Sequence, residues 1–186
     1  MPKRFYVAYG SNLNIEQMQY RCPTAKFYGT GVVEGYELQF RGQPYSAYAT
    51  IVPKEGSTVP VAIWTLQPWD EMALDRYEGV PSHYFKQDTS VQMHGKEITG
   101  MVYIMNQRMK VGLPSSSYLQ TVRKGYEDCG LDPQVLEDAL ARNTQAFFSQ
   151  KSWQTIQHDP CVNQEEQTQE PDQTEIEGQT VWRMQL

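Results

Sequence analysis

The run Met101-Val102-Tyr103-Ile104-Met105 constrains this chain more than any other segment. Five apolar residues in succession, two of them β-branched, read as a strand without a polar face. Such a strand belongs in a closed or covered sheet. The flanking segments supply its neighbours. Arg4–Ala8 reads as a first strand. Lys26–Val33 and Tyr36–Phe40 flank Glu34-Gly35 as a hairpin, and Tyr48–Val52 and Val59–Leu66 flank the turn cluster Pro53-Lys54-Glu55-Gly56-Ser57. Tyr84–Met93 and Ile98–Met105 are joined through His94-Gly95.

Helices are predicted between the strands. One covers Asn14–Tyr20, and a second runs from Pro68 to the breakers Gly79 and Pro81. A third runs from a Ser115–Ser117 cap through Cys129, and a fourth from Asp132-Pro133 to about Phe148. In the second, Trp69, Met72, Ala73 and Tyr77 recur at helical spacing and read as its buried face. Six or seven strands with inserted helices predict an α+β domain: a small mixed, mostly antiparallel β-barrel with helices packed around it.

The charge distribution separates a body from a tail. Residues 154–186 hold seven of the 22 acidic residues and one of the 16 basic ones, leaving fifteen of each before them. The body is therefore neutral and the tail accounts for the net charge of −6. A Gln/Glu-rich run with few apolar residues cannot bury enough surface to offset the entropy of ordering. Residues 1–150 are read as the folded domain and 151–186 as an acidic tail expected to be disordered. A neutral body with an acidic tail does not suit nucleic acid, whose phosphates need a basic face. Cys22, Cys129 and Cys161 are odd in number and scattered, which suits a reducing cytoplasm. The start of the chain lacks the apolar core of a signal peptide, and no run approaches the ~18 apolar residues of a membrane span.

Three places could carry chemistry. At Phe5-Tyr6-Val7-Ala8-Tyr9-Gly10-Ser11-Asn12-Leu13 a β-rich run stops at a turn that leads into a helix. Gly10 can take positive φ and admits close approach to the main chain. Ser11, Asn12 or Asn14 can cap the helix, with Gln17 at box spacing from Asn14. Turn amides before a helix suit a carboxylate ligand, although a plain capped corner has the same composition. Glu78 ends a helix just before Gly79, where the dipole disfavours its charge and Tyr77 and Tyr84 could desolvate it. Both effects raise its pKa toward the range of a general base; the other reading is a solvated Glu at a helix end. Tyr118 stands in the first turn of the third helix, where it could face a ligand or pack against Val122 as a core aromatic. His83, His94 and His158 are isolated, so no metal site is expected, and neither a Gly-x-Ser-x-Gly elbow nor a Walker or Rossmann glycine loop is present.

Taken in order, Tyr9-Gly10-Ser11-Asn12-Leu13, Leu74-Asp75-x-Tyr77-Glu78-Gly79-Val80 and Pro114-Ser115-x-x-Tyr118 resemble the γ-glutamylcyclotransferase (AIG2-like) family. Arg21-Cys22-Pro23, Phe40-Arg41-Gly42 and Ala49-Thr50-Ile51 are similar to segments of its bacterial members. The resemblance spans about residues 4–145 and none of the tail. It implies a small mixed barrel with helices around it and one cavity. It also implies cleavage of a γ-glutamyl amide by its own α-amine, releasing 5-oxoproline and a free amine or amino acid, with no metal or cofactor. The family's catalytic glutamate matches Glu78. Its substrate-cradling loop matches Tyr6, Val7, Ala8, Tyr9, Gly10, Ser11 and Asn12, and its substrate-contacting tyrosine matches Tyr118. The expected partner is a small γ-glutamyl substrate in the cytoplasm, with neither nucleic acid nor membrane, and with room for a homodimer. The alternative is a non-catalytic binding module for a glutamyl or amino-acid ligand. Glu78 argues against it, because a site for a carboxylate ligand gains by losing a nearby negative charge.

Overall fold

The computed structural model describes residues 4–157, with side chains described to Gln150. The strands are β1 (Arg4–Ala8), β2 (Lys26–Gln43), β3 (Ser46–Leu66), β4 (Tyr84–Met93) and β5 (Lys96–Met105). They close into a barrel in the order β1-β3-β2-β4-β5, with β5 returning to β1. Every pairing is antiparallel except β1–β5, where Tyr6 lies beside Met101 and Val7 beside Val102. The mixed, mostly antiparallel barrel is therefore the observed fold. Met101–Met105 is buried along its whole length, as a strand with no polar face requires.

The strand count differs from expectation for one physical reason. Glu34-Gly35 and Pro53–Ser57 do not reverse the chain; they lie opposite each other within a single long β2–β3 ladder. Pairing passes from Glu34↔Thr58 to Tyr36↔Pro53. Gly35 (φ 76°) and Gly56 (φ 73°) take up the left-handed geometry of this irregularity, and both strands continue beyond it. The two hairpins read from sequence are thus one, closed at Pro44-Tyr45, and the strands number five.

The helices are α1 (Ile15–Arg21), α2 (Pro68–Glu78), α3 (Ser116–Asp128) and α4 (Pro133–Gln157). Asn14 caps α1, its Oδ1 accepting the Gln17 N–H at 2.9 Å. The α4 helix runs past Phe148 to Gln157, since no Gly or Pro interrupts it before Pro160. The acidic segment 158–186 lies outside the described residues. Among the described residues no helix is long and apolar enough to cross a membrane.

The α2 helix buries a different face from the one its apolar spacing predicts. Asp70 and Leu74 are buried, whereas Trp69, Met72 and Tyr77 stay exposed. Capping sets this rotation. Asp70 Oδ2 accepts the Gln67 N–H at 3.0 Å, and the Thr24 hydroxyl donates to the Asp70 carboxylate at 2.7 Å. The helix is thereby pinned with Asp70 inward, and Trp69 bonds Thr24 from outside through Nε1 at 2.6 Å. Asp70→Ala should lower stability by about 2 kcal/mol, or roughly 4–8 °C in Tm for a domain of this size. An unchanged melting curve would show that packing at Leu74 alone fixes the helix.

Candidate active site

The β1 strand ends at Ala8 and the chain enters a 3-10 turn over Ser11–Leu13, buried on all three residues. The α3 helix supports this turn from behind. A Cβ at Gly125 would lie 2.5 Å from Leu13 Cβ and 2.7 Å from the Asn14 N, so a glycine is required for the helix to come this close. Asp128 Oδ2 accepts the Ile15 N–H at 3.1 Å, fixing the start of α1 to the same helix. At the head of α3, Ser115 caps through its Oγ and the Tyr118 N–H, 3.3 Å apart. Tyr118 is thereby placed against the turn: its hydroxyl oxygen accepts the Ala49 N–H at 3.0 Å. A Cβ at Gly10 would sit 3.2 Å from that hydroxyl and 3.1 Å from Ala49 Cβ.

Gly10 therefore corrects the sequence reading. Its φ is −119°, not positive. The glycine serves close approach rather than a left-handed backbone.

Glu78 closes the site from the other side. It is the last residue of α2, and Gly79 ends the helix in the left-handed region at φ 63°. Glu78 Oε1 accepts an N–H of the Asn12 amide at 3.0 Å. The inner chamber between turn and glutamate leaves about 30 Å³ of open space and is lined by Gly10, Ser11, Asn12, Glu78 and a ring of tyrosines. It widens into an outer chamber of about 430 Å³ bordered by Tyr48, Arg76, Tyr77 and His83. The structure thus brings together Tyr6, Tyr9, Gly10, Ser11, Asn12, Glu78 and Tyr118. Val7 and Ala8 are buried in β1 but do not line either chamber.

Burial raises the Glu78 pKa to about 7, opposed by the nearby Arg21 charge and the Asn12 hydrogen bond. The direction matches the sequence reading, and the aromatic wall supplies the desolvation. Burial also pushes the phenols of Tyr6, Tyr9, Tyr84, Tyr103 and Tyr118 above their ordinary value. They remain neutral donors at physiological pH.

The phenols divide by what they bond. Tyr9 donates to the Tyr103 carbonyl at 2.6 Å, Tyr84 to the Ala49 carbonyl at 3.0 Å, and Tyr103 to Asp75 Oδ1 at 2.8 Å. The Tyr6 and Tyr118 oxygens instead accept N–H groups, from Asn12 at 2.8 Å and from Ala49. Among the described residues neither has a protein acceptor for its own proton, so both can donate to a ligand.

Tyr103 was missed as a lining residue. It sits in the apolar run that signals a buried strand, and only closure of β5 onto β1 turns it toward the chamber; its ring lies edge-on to Tyr6 at 5.6 Å. Among the described residues no group of three or more His, Cys, Asp or Glu side chains is placed to hold a metal ion.

Comparison with known proteins agrees with this architecture. The family model described as gamma-glutamyl cyclotransferase, AIG2-like, matches residues 6–120. A gamma-glutamylcyclotransferase from Bos taurus is 32% identical over 136 residues, covering 68% of this chain and 71% of that protein. One from Homo sapiens is 30% identical over 145 residues, covering 73% and 77%. A solved gamma-glutamyl cyclotransferase structure superposes with a TM-score of 0.68 at 28% identity, covering 74% of this chain and 86% of that one. YkqA from Bacillus subtilis, at 18% identity and a TM-score of 0.66 over 78% of this chain and 56% of its own, shares the fold. The chain belongs to the gamma-glutamyl cyclotransferase, AIG2-like family and is an enzyme of that type.

Proposed function

We propose that this cyclotransferase cleaves a γ-glutamyl amide by attack of the substrate's α-amine on its own γ-carbonyl, releasing 5-oxoproline and a free amine or amino acid. The observation that carries this reading is the placement of Glu78. Among the described residues it is the one carboxylate lining the inner chamber, half-buried, with a pKa of about 7.

Nucleophile and electrophile belong to one molecule, so the protein has to hold a folded conformer and move a proton. Holding the conformer can supply several kcal/mol of the barrier. The Glu78 carboxylate takes a proton from the α-ammonium, the amine forms the new N–C bond, and the γ-carbonyl becomes a tetrahedral oxyanion. When the original C–N bond breaks, the protonated Glu78 returns its proton to the leaving nitrogen. The carboxylate so regenerated takes the second proton from the ring nitrogen, leaving the lactam N–H, and gives it to the released amine. A carboxyl with a pKa near neutrality serves both steps. The Tyr6 and Tyr118 hydroxyls and the Gly10–Asn12 turn are the donors for the α-carboxylate and the oxyanion. The outer chamber takes the leaving group.

The test is a panel of γ-glutamyl amides and γ-glutamyl amino acids, with 5-oxoproline read by mass spectrometry. Turnover is expected without added nucleotide. Because the base must be ionised, kcat/KM should rise with pH through a midpoint near 7 and level off above it. A folded protein that binds panel members without turnover would favour the non-catalytic binding module. An acid limb centred near pH 4.5 would place the base elsewhere.

A further inference from the structure

Asn12 touches both Tyr6 and Glu78, and an amide that does so can be oriented in two ways. An Asn side chain has one accepting end and one donating end. Here Oδ1 accepts Arg21 Nη1 at 2.6 Å, which leaves both Nδ2 hydrogens for Tyr6 Oη at 2.8 Å and Glu78 Oε1 at 3.0 Å. The reverse orientation would set Oδ1 against the carboxylate and the amide nitrogen against the guanidinium, an opposition of like groups on both sides. Arg21 is the group that decides between them.

Arg21 is itself held on several sides. Nη1 also donates to Ser11 Oγ at 3.2 Å, gripping the second residue of the same turn. Nη2 donates to Tyr77 Oη at 2.5 Å and to Gln17 Oε1 one helical turn back. Its Cζ lies 3.8 Å from the centroid of the Tyr77 ring, and Tyr77 borders the outer chamber beside Glu78. This planar fork spans α1, the Ser11–Asn12 turn and α2, which no point charge could do.

We propose that Arg21 is a positioning residue for the base, clamping the Ser11–Asn12 turn and turning the Asn12 amide so that it donates to Glu78. This rests on the reading of Glu78 as the base. Its charge also works against the burial of the Glu78 carboxylate. The other groups facing Glu78 are phenols: Tyr6 from β1, Tyr9 from the residue after it, Tyr84 from β4, Tyr103 from β5 and Tyr118 from α3, all kept protonated by burial. Arg76 of its own helix and His83 of the following turn border the outer chamber.

The experiment compares the full chain with Arg21→Met and Arg21→Lys in two measurements. In the first, the carboxyl of Glu78 is titrated by 13C NMR on glutamate-labelled protein without substrate, its signal assigned by its loss in Glu78→Gln. In the second, the pH profile of kcat/KM is recorded on the best γ-glutamyl amide of the panel. Arg21→Met should move both midpoints upward by at least about one pH unit, since an opposing charge is gone. Its kcat/KM at pH 7 should fall about tenfold or more. Arg21→Lys should return the midpoints toward wild type but leave the high-pH plateau about threefold or more below it. The three donors of an ammonium share one nitrogen and cannot reproduce the four bonds that two guanidinium nitrogens make to Ser11, Asn12, Gln17 and Tyr77.

A folded Arg21→Met with wild-type midpoints would overturn the proposal, since a merely structural role lowers the melting temperature without moving them. Should that variant fail to fold, Arg21→Lys decides: a wild-type plateau overturns the proposal. If the wild-type protein turns over no γ-glutamyl amide, the functional reading fails, while the NMR titration still tests Arg21.

Discussion

Glu78→Gln should reduce kcat by at least about 10²-fold while raising the melting temperature above pH 7. The first effect follows from chemistry. Gln keeps the shape of the side chain, and its Oε1 can still accept the Asn12 N–H that Glu78 takes at 3.0 Å. It cannot take a proton from an ammonium, so general-base assistance is lost and binding is changed much less. The second effect follows from linkage. Burial raises the folded-state pKa of Glu78 from 4.5 to about 7, so the folded protein holds this proton more tightly than the unfolded chain does. Such a group favours folding fully below its unfolded pKa and loses that contribution as pH climbs through 7. Above pH 8 the ionised, half-buried carboxylate opposes folding by about 2–3 kcal/mol, which Gln removes. Thermal melts at pH 5 and pH 8.5 should therefore show a small difference between the two proteins at the lower pH and a stabilised variant at the higher one. Near wild-type kcat would exclude Glu78 as the base. Equal melts at both pH values would show that the carboxylate is well solvated.

The barrel was legible in the sequence because its strongest signal is local. Met101–Met105 has no polar face, and only a closed or covered sheet buries both sides of such a strand. The ends of the helices were equally legible wherever a cap carries its own chemistry, as at Asn14, Ser115 and Gly79. The rotation of α2 was not, because a buried carboxylate overrode the apolar period. Asp70 turns inward to meet Gln67 and Thr24, a residue 46 positions away along the chain, and periodicity within one helix contains no trace of that partner. The same limit applies at the site. Tyr9–Asn12, Glu78 and Tyr118 stand in recognisable local contexts, whereas Tyr103 reaches the chamber only through the β1–β5 pairing. Arg21 stands in the sequence only as part of Arg21-Cys22-Pro23, a segment similar to bacterial members of the family, with no role attached to it. Its grip on Asn12 and Tyr77 exists only once α1, the turn and α2 have met.

Gly10→Val should lower kcat/KM by about 10²-fold with a smaller loss of stability, and the structure says why binding suffers more. With φ at −119° no left-handed penalty applies, so the backbone tolerates a side chain. The space does not. The first added carbon would stand 3.1 Å from Ala49 Cβ and 3.2 Å from the Tyr118 hydroxyl, and the branching methyls of Val add to that crowding. Ala49 lies in β3 inside the barrel wall, paired with Phe40, and cannot easily retreat. Tyr118 is the part that gives. Moving its hydroxyl breaks the 3.0 Å bond from the Ala49 N–H and takes one of the two free phenol donors out of register with the ligand. A displacement of about 1 Å at such a donor can cost about 10²-fold in rate, while overpacking of this kind costs about 1–3 kcal/mol of stability. Gly10→Ala combined with Tyr118→Phe isolates the cause, because removing the hydroxyl relieves the closest polar contact. The loss in melting temperature of the double variant should be smaller than the sum of the two single losses, since residues in contact are not additive. A Gly10→Val protein that melts lower yet keeps wild-type KM and kcat would show that Gly10 only turns a corner, and that the glutamyl head sits elsewhere in the chamber.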